Sequence, residues 1–290
     1  MPQRRLALVA LAFASLSACA QVPQAQQPGT LLIGGTEYDV AWGLPAGPAL
    51  GLAVVEHGFT RRCRNIAGTL DALVARGLMT LCVDAPLSGG NPQLADALAA
   101  TLAAGVVPPG GQPMPERIVV GGHSAGGAFA VRLGATLAQL APQRLTGAVL
   151  FDPVAAGARF EGEIRALSAS GLRPVLTVSA NASACNAGNN SYPGLRAVAA
   201  DAAAAGNEPF VGLQLTANST HVDVEGENTD AFAWAACRQG PPRRANVNAL
   251  RELGAAWALD LVRGERTPDY YPGGTVVERL LRGERAALIE

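Results

Sequence analysis

The chain has 290 residues, 49% of them apolar, and a formal net charge of −1. That supplies one α/β domain with a sizeable core and requires no second domain. The near-neutral charge, with no long run of either sign, speaks against nucleic acid or an anionic membrane surface as partner, and because all 22 basic residues are arginine, a lysine nucleophile or Schiff base is excluded.

Arg4-Arg5 followed by the apolar run Leu6 to Leu16 has the form of an export signal, too short to span a bilayer. Leu16-Ser17-Ala18-Cys19 resembles a bacterial lipobox, in which Cys19 would be acylated and become the new N-terminus. Ala18-Cys19-Ala20 also fits a plain cleavage site, so lipidation is the favoured of two outcomes. Residues 1–19 are thus expected to be a signal peptide and 20–29 a flexible tether, with residues 30–290 forming a single domain outside the cytoplasm.

Leu31 to Ile33 is short for a strand before Gly34-Gly35, whereas Tyr38 to Trp42 alternates as a strand should. Ala49 to Val55 is a near-continuous apolar strand running into Glu56-His57-Gly58-Phe59. Ile66 to Leu78 has helical spacing, Met79 to Val83 reads as a buried strand, and Gln93 to Ala104 as a second helix. After a Pro- and Gly-rich loop, Ile118 to Val120 forms a β-branched strand that meets the helix Ala128 to Leu140 through Gly121-Gly122-His123-Ser124-Ala125-Gly126-Gly127. Strands at Gly147 to Phe151, Pro174 to Ser179 and Phe210 to Leu215 follow, the last being the expected final strand, with helices at Phe160 to Ser168 and Leu195 to Ala205 between them. This alternation predicts an α/β fold with a mostly parallel central sheet and helices on both faces. Ligands in such sheets sit at the carboxyl ends of the strands.

Gly122-His123-Ser124-Ala125-Gly126 fits G-x-S-x-G, in which a serine is held on a strained strand-to-helix turn and small residues avoid backbone clashes. A serine hydroxyl needs a histidine to take its proton and an acid to orient that histidine. Of three histidines, His123 lies inside the turn and His57 in the loop after the first parallel strand, which leaves His221 in the loop beyond Leu215. The acid should lie between serine and histidine at a strand end. Asp152 meets both conditions, and the next strand end, Ser179 to Asn190, contains no carboxylate. Asp223 and Glu225 remain rivals, although their proximity to His221 would require them to fold back along the same loop.

His57-Gly58-Phe59, the elbow Gly122 to Gly127 and Asp152-Pro153-Val154 resemble the H-G-F, G-H-S-x-G-G and D-P-V segments of the α/β-hydrolase superfamily, in particular its chlorophyllase-like and bacterial polyester-hydrolase-like branches. The likeness spans about residue 49 to residue 263. It implies an acyl-enzyme mechanism, with the backbone N–H groups of Phe59 and Ala125 facing the oxyanion; His57-Gly58 can equally be a tight turn. The export signal departs from the plant chlorophyllases, so their substrate is not carried over.

Between Asp152 and Pro174 there is room for one helix and two loops but not for a large cap domain, so an open site for a bulky or apolar ester is expected. Export also gives the remaining cysteines a role. Cys63 with Cys82 and Cys185 with Cys237 are the favoured disulfides, the alternative being buried free thiols. The expected activity is that of an exported serine esterase acting on small-molecule or polymeric esters, with no cofactor or metal and with membrane contact only through the lipid anchor. A lipase or peptidase, or a non-catalytic binding lipoprotein of the same fold, is the alternative.

Overall fold

The computed structural model describes residues 26–289. The signal peptide, Cys19 and the first part of the tether therefore lie outside the described residues.

A nine-stranded sheet organises these residues, in the order β1-β2-β4-β3-β5-β6-β7-β8-β9. It begins with a hairpin of β1 (Gln27–Ile33) and β2 (Thr36–Gly43), closed by Gly34 and Gly35 at φ 58° and 83°. Two successive residues at positive φ match the twist of a tight hairpin, and glycine takes them without a Cβ penalty. The strand starts three residues inside the expected tether. Its half-buried and exposed positions alternate up to the buried Ile33, and Pro28 is tolerated because β1 is an edge strand.

The parallel core is β3 (Leu52–Glu56), β4 (Met79–Val83), β5 (Ile118–Ser124), β6 (Leu145–Pro153), β7 (Val175–Ser179) and β8 (Gly212–Leu215). In β3, β4, β5 and β7 every residue is buried, as expected of strands covered on both faces. Their period-two geometry feeds two cores. Val54, Val120 and Leu150 pack beneath α2 (Pro92–Ala104), α3 (Ala125–Leu140), α4 (Arg159–Ser168) and α5 (Tyr192–Ala204), counted after α1 (Ala67–Val74) in chain order. Val55, Val119, Val149 and Phe151 face α1 on the other side, together with α7 (Arg244–Arg263), which follows the short α6 (Ala231–Ala236), and α8 (Thr275–Arg282).

Phe210 to Leu215 is not the last strand. β9 (Ala286–Leu288) pairs antiparallel with β8, register Leu213 with Leu288, and closes that edge. Three residues, two of them exposed, carry too little hydrophobic pattern to be seen in sequence. Four of the parallel strands, β3, β5, β6 and β8, deliver the loops that build the site, and β7 delivers a fifth.

Candidate active site

At the end of β5 the chain turns into α3 through Ser124, whose φ of 58° and ψ of −122° lie outside the regions favoured by non-glycine residues. The turn is possible only because its neighbours are glycines. A Cβ on Gly122 would collide with the carbonyl of Gly126, and one on Gly126 with the carbonyls of Glu56 and His57. The second clash shows why the loop after β3 can lie directly against the elbow. Ala125 begins α3, so its N–H belongs to the first turn, whose donors have no partner within the helix.

Parallel pairing sets Ser124 opposite Pro153 of β6, and Val154 N–H donates to Ser124 O at 3.0 Å. This places Asp152, at φ 45° and 1% exposed, beside the elbow. Its Oδ2 is 2.6 Å from His221 Nδ1. Its Oδ1 accepts from Ala180 N–H at 3.0 Å, and both oxygens lie 3.2 Å from Asn186 Nδ2. A carboxylate offers only acceptors, so His221 donates from Nδ1, which in the neutral ring leaves Nε2 as the acceptor.

His221 opens a single 3₁₀ turn, His221–Val224, closed by Asp223, whose Oδ2 accepts from Thr220 N–H and whose own N–H donates to the Thr220 carbonyl at 3.0 Å. The His221 N–H donates to Gln239 Oε1 at 2.9 Å, and its carbonyl accepts from His123 Nε2 at 2.9 Å. The His123 and His221 rings are 4.5 Å apart. Burial, followed by the neighbouring His221, holds the His123 imidazole well below its ordinary pKa, so it acts as a neutral prop under the loop. His57 donates from Nδ1 to Gly58 O at 2.8 Å, and burial lowers its pKa as well.

The rival carboxylates face elsewhere. Asp223 accepts from Thr220 N–H at 2.7 Å and Arg243 N–H at 2.9 Å, and burial raises its pKa despite them. Glu225, 1% exposed, takes both arms of the Arg61 guanidinium at 2.8 and 2.6 Å. The fork ties the loop after β3 to the histidine loop, and no sequence spacing announces a partner 164 residues away.

Ser124, His221, Gly58, Phe59 and Thr60 line one cavity of about 440 Å³, whose far wall is Val222, Phe232, Ala233, Ala236 and the Cys185–Cys237 pair. Phe59 is 58% exposed and Phe232 73%, so the rim is aromatic and open to solvent. The six residues of α6 hold less than two helical turns of pattern and leave little mark in the sequence. Both cysteine pairs are bonded, Cys63 to Cys82 and Cys185 to Cys237, with Cα separations of 5.8 and 5.2 Å. His57, Cys63 and Asp84 place potential metal-ligating atoms within 4.8 Å of one another, but the Cys63 sulfur is committed to Cys82.

No protein-family model matches the chain, and no curated protein matches it in sequence. Solved structures do. An esterase from Pseudomonas putida covers 81% of this chain and 83% of its own at TM-score 0.55 and 16% identity. The esterase domain of a Rhodothermus marinus protein covers 82% of this chain and 100% of its own at TM-score 0.54 and 16% identity. A dienelactone hydrolase from Anabaena variabilis covers 81% and 96% at TM-score 0.53 and 16% identity. With its mostly parallel nine-stranded sheet, helices on both faces and strand-to-helix elbow at Ser124, the chain has the α/β-hydrolase fold.

Proposed function

We propose that this protein is an exported serine hydrolase that cleaves carboxylic esters through an acyl-enzyme. The observation that carries the proposal is the 2.6 Å contact between Asp152 Oδ2 and His221 Nδ1, with His221 and Ser124 on the wall of one cavity. In this reading Ser124 Oγ attacks the ester carbonyl carbon while His221 Nε2 accepts the hydroxyl proton, and Asp152 stabilises the imidazolium that results. Negative charge gathers on the former carbonyl oxygen, where the N–H groups of Phe59 and Ala125 meet it. Collapse breaks the bond to the leaving oxygen, which takes the proton from His221. Water, activated by the same imidazole, then releases the acid and restores Ser124.

The mostly apolar cavity with its open aromatic rim favours bulky or apolar esters. Two disulfides suit an oxidising compartment and so support export; they do not bear on whether Cys19 is acylated or removed.

The test is labelling of the purified mature protein with a fluorophosphonate probe, alongside turnover of an ester panel of graded acyl length and the corresponding amides. Stoichiometric labelling that disappears in Ser124→Ala, with ester turnover, is the expected result. A folded protein that takes no label is a binding protein of this fold, and label that persists in Ser124→Ala refutes the assignment of the nucleophile. Turnover of the amides at a rate approaching that of the matched esters makes it a peptidase instead.

A further inference from the structure

The loop from β7 to α5 has no carboxylate, yet it is wrapped around one polar side chain. Asn186 is fully buried, at 0% exposure. Its Nδ2 reaches both Asp152 oxygens at 3.2 Å and the Asn181 carbonyl at 2.9 Å. Its Oδ1 accepts from Ser183 N–H at 2.7 Å and from Asn189 N–H at 3.3 Å. The amide's orientation follows from these partners: turned over, it would aim its oxygen at a carboxylate and a carbonyl and its hydrogens at two N–H groups. Each half of the amide thus has its own task, the oxygen for the loop and the nitrogen for Asp152.

Asp152 needs that nitrogen. It is almost wholly buried, its backbone stands at φ 45°, and besides His221 its partners are the Ala180 N–H and this amide. Donors on the carboxylate's other side set the plane in which Oδ2 can meet the imidazole. The residue before Asn186 is Cys185, bonded to Cys237 at the end of α6, so the amide is anchored from outside the loop as well.

We propose that Asn186 is a positioning residue for the hydrolysis: its amide N–H holds the Asp152 carboxylate in the orientation that receives His221 Nδ1–H, an assignment that rests on reading Ser124, Asp152 and His221 as the catalytic triad. Substrate never touches it. Its effect is on the step in which His221 takes the serine proton, and so on kcat rather than on KM.

Asn186→Asp separates the two halves of the amide. It keeps an oxygen for the Ser183 and Asn189 N–H groups and replaces the donor facing Asp152 by a second carboxylate. Asn186→Ala removes both. Measured against wild type on a soluble aryl ester, with circular dichroism and melting to certify folding, each variant is expected to lose about 10- to 100-fold in kcat, the scale of hydrogen bonds to a charged group. KM should change little. In Asn186→Asp the acid limb of kcat/KM should also move to higher pH, because added negative charge near His221 favours the imidazolium. In both variants the downfield proton resonance of the Nδ1–H bond should shift from its wild-type position.

A folded Asn186→Ala with wild-type kcat overturns the proposal, as does a loss in both variants confined to melting temperature, which would make Asn186 a loop brace only; in Asn186→Asp a proton shared by the two carboxyl groups would restore the donor and leave kcat and the acid limb near wild type. Wild type that takes no fluorophosphonate label at Ser124 would instead bring down the triad itself, and this inference with it.

Discussion

Replacing Cys185 and Cys237 together by serine opens a cross-link between residues 52 apart in sequence. Loop-closure entropy for that length amounts to about 4 kcal/mol. With a change of about 2 °C in Tm per kcal/mol for a chain of this size, the expected fall is about 8 °C. The Cys63–Cys82 bond, with a separation of 19, gives about 3 kcal/mol by the same relation, so stability alone barely distinguishes the two. Position does. Cys63 and Cys82 are 2% and 0% exposed within one of the two main cores, whereas Cys185 and Cys237 belong to a small separate cluster with Val222, Ala233 and Trp234. That cluster is the far wall of the Ser124 cavity and the anchor beside Asn186. Opening it should loosen residues 181–190 and 231–239 locally, at less cost than unfolding the domain. The expected outcome at 25 °C is a Cys185→Ser/Cys237→Ser protein that is folded but clearly slowed in fluorophosphonate labelling and ester turnover. Hydrogen exchange should be raised in those two segments. Cys63→Ala/Cys82→Ala should lose a similar amount of Tm and keep its turnover while folded. Activity that follows Tm equally in both variants, or a Cys185→Ser/Cys237→Ser enzyme with unchanged turnover, would refute the separation of local from global order.

Asp152→Asn should lower kcat by about 10⁴-fold, the scale for loss of a triad acid, while Asp223→Ala, which loses a 3₁₀ cap, should act mainly on Tm; steady-state kinetics with the reverse ranking would transfer the role to Asp223. Arg61→Met leaves Glu225 buried without its fork, and chemical denaturation should show a loss of about 3–5 kcal/mol, largely recovered in Arg61→Met/Glu225→Leu; a loss below about 1 kcal/mol would make the pair indistinguishable from a surface bridge. Burial, with the Asp84 charge adding and the Val83 N–H opposing, raises the Glu56 carboxyl well above its ordinary 4.5. A raised folded-state pKa gives stability that is complete below the unfolded value and is lost as pH rises through the folded one. Melting curves across pH should therefore show Glu56→Gln gaining on wild type as pH rises and the gap closing near pH 4.5; a gap independent of pH would contradict the shift.

How much of this was legible in the chain follows from the range of the interactions involved. The parallel strands and most helices announce themselves because burial on two faces demands continuous apolar runs and burial on one face demands helical spacing. The elbow is legible because its glycines all lie within three residues of Ser124, although only the Gly122 clash is local and Gly126 and Gly127 make room for Glu56, His57 and Pro153 from elsewhere in the chain. Chain order further narrowed the acid and histidine to a few strand-end residues. Position in the chain favours Asp152, between Ser124 and His221 at a strand end, over Asp223 and Glu225; what separates the three in space is what the folded chain brings to each, an imidazole, a 3₁₀ turn and the Arg61 fork. β1 and β9 escaped because each is an edge strand whose order comes from a neighbour and not from its own pattern, and α7 and α8 lie beyond the expected final strand, where no element is predicted. Asn186 escaped most completely. An asparagine in a polar loop carries no mark of its task, and only the approach of the β6 and β7 ends turns its amide toward Asp152, 34 residues away along the chain.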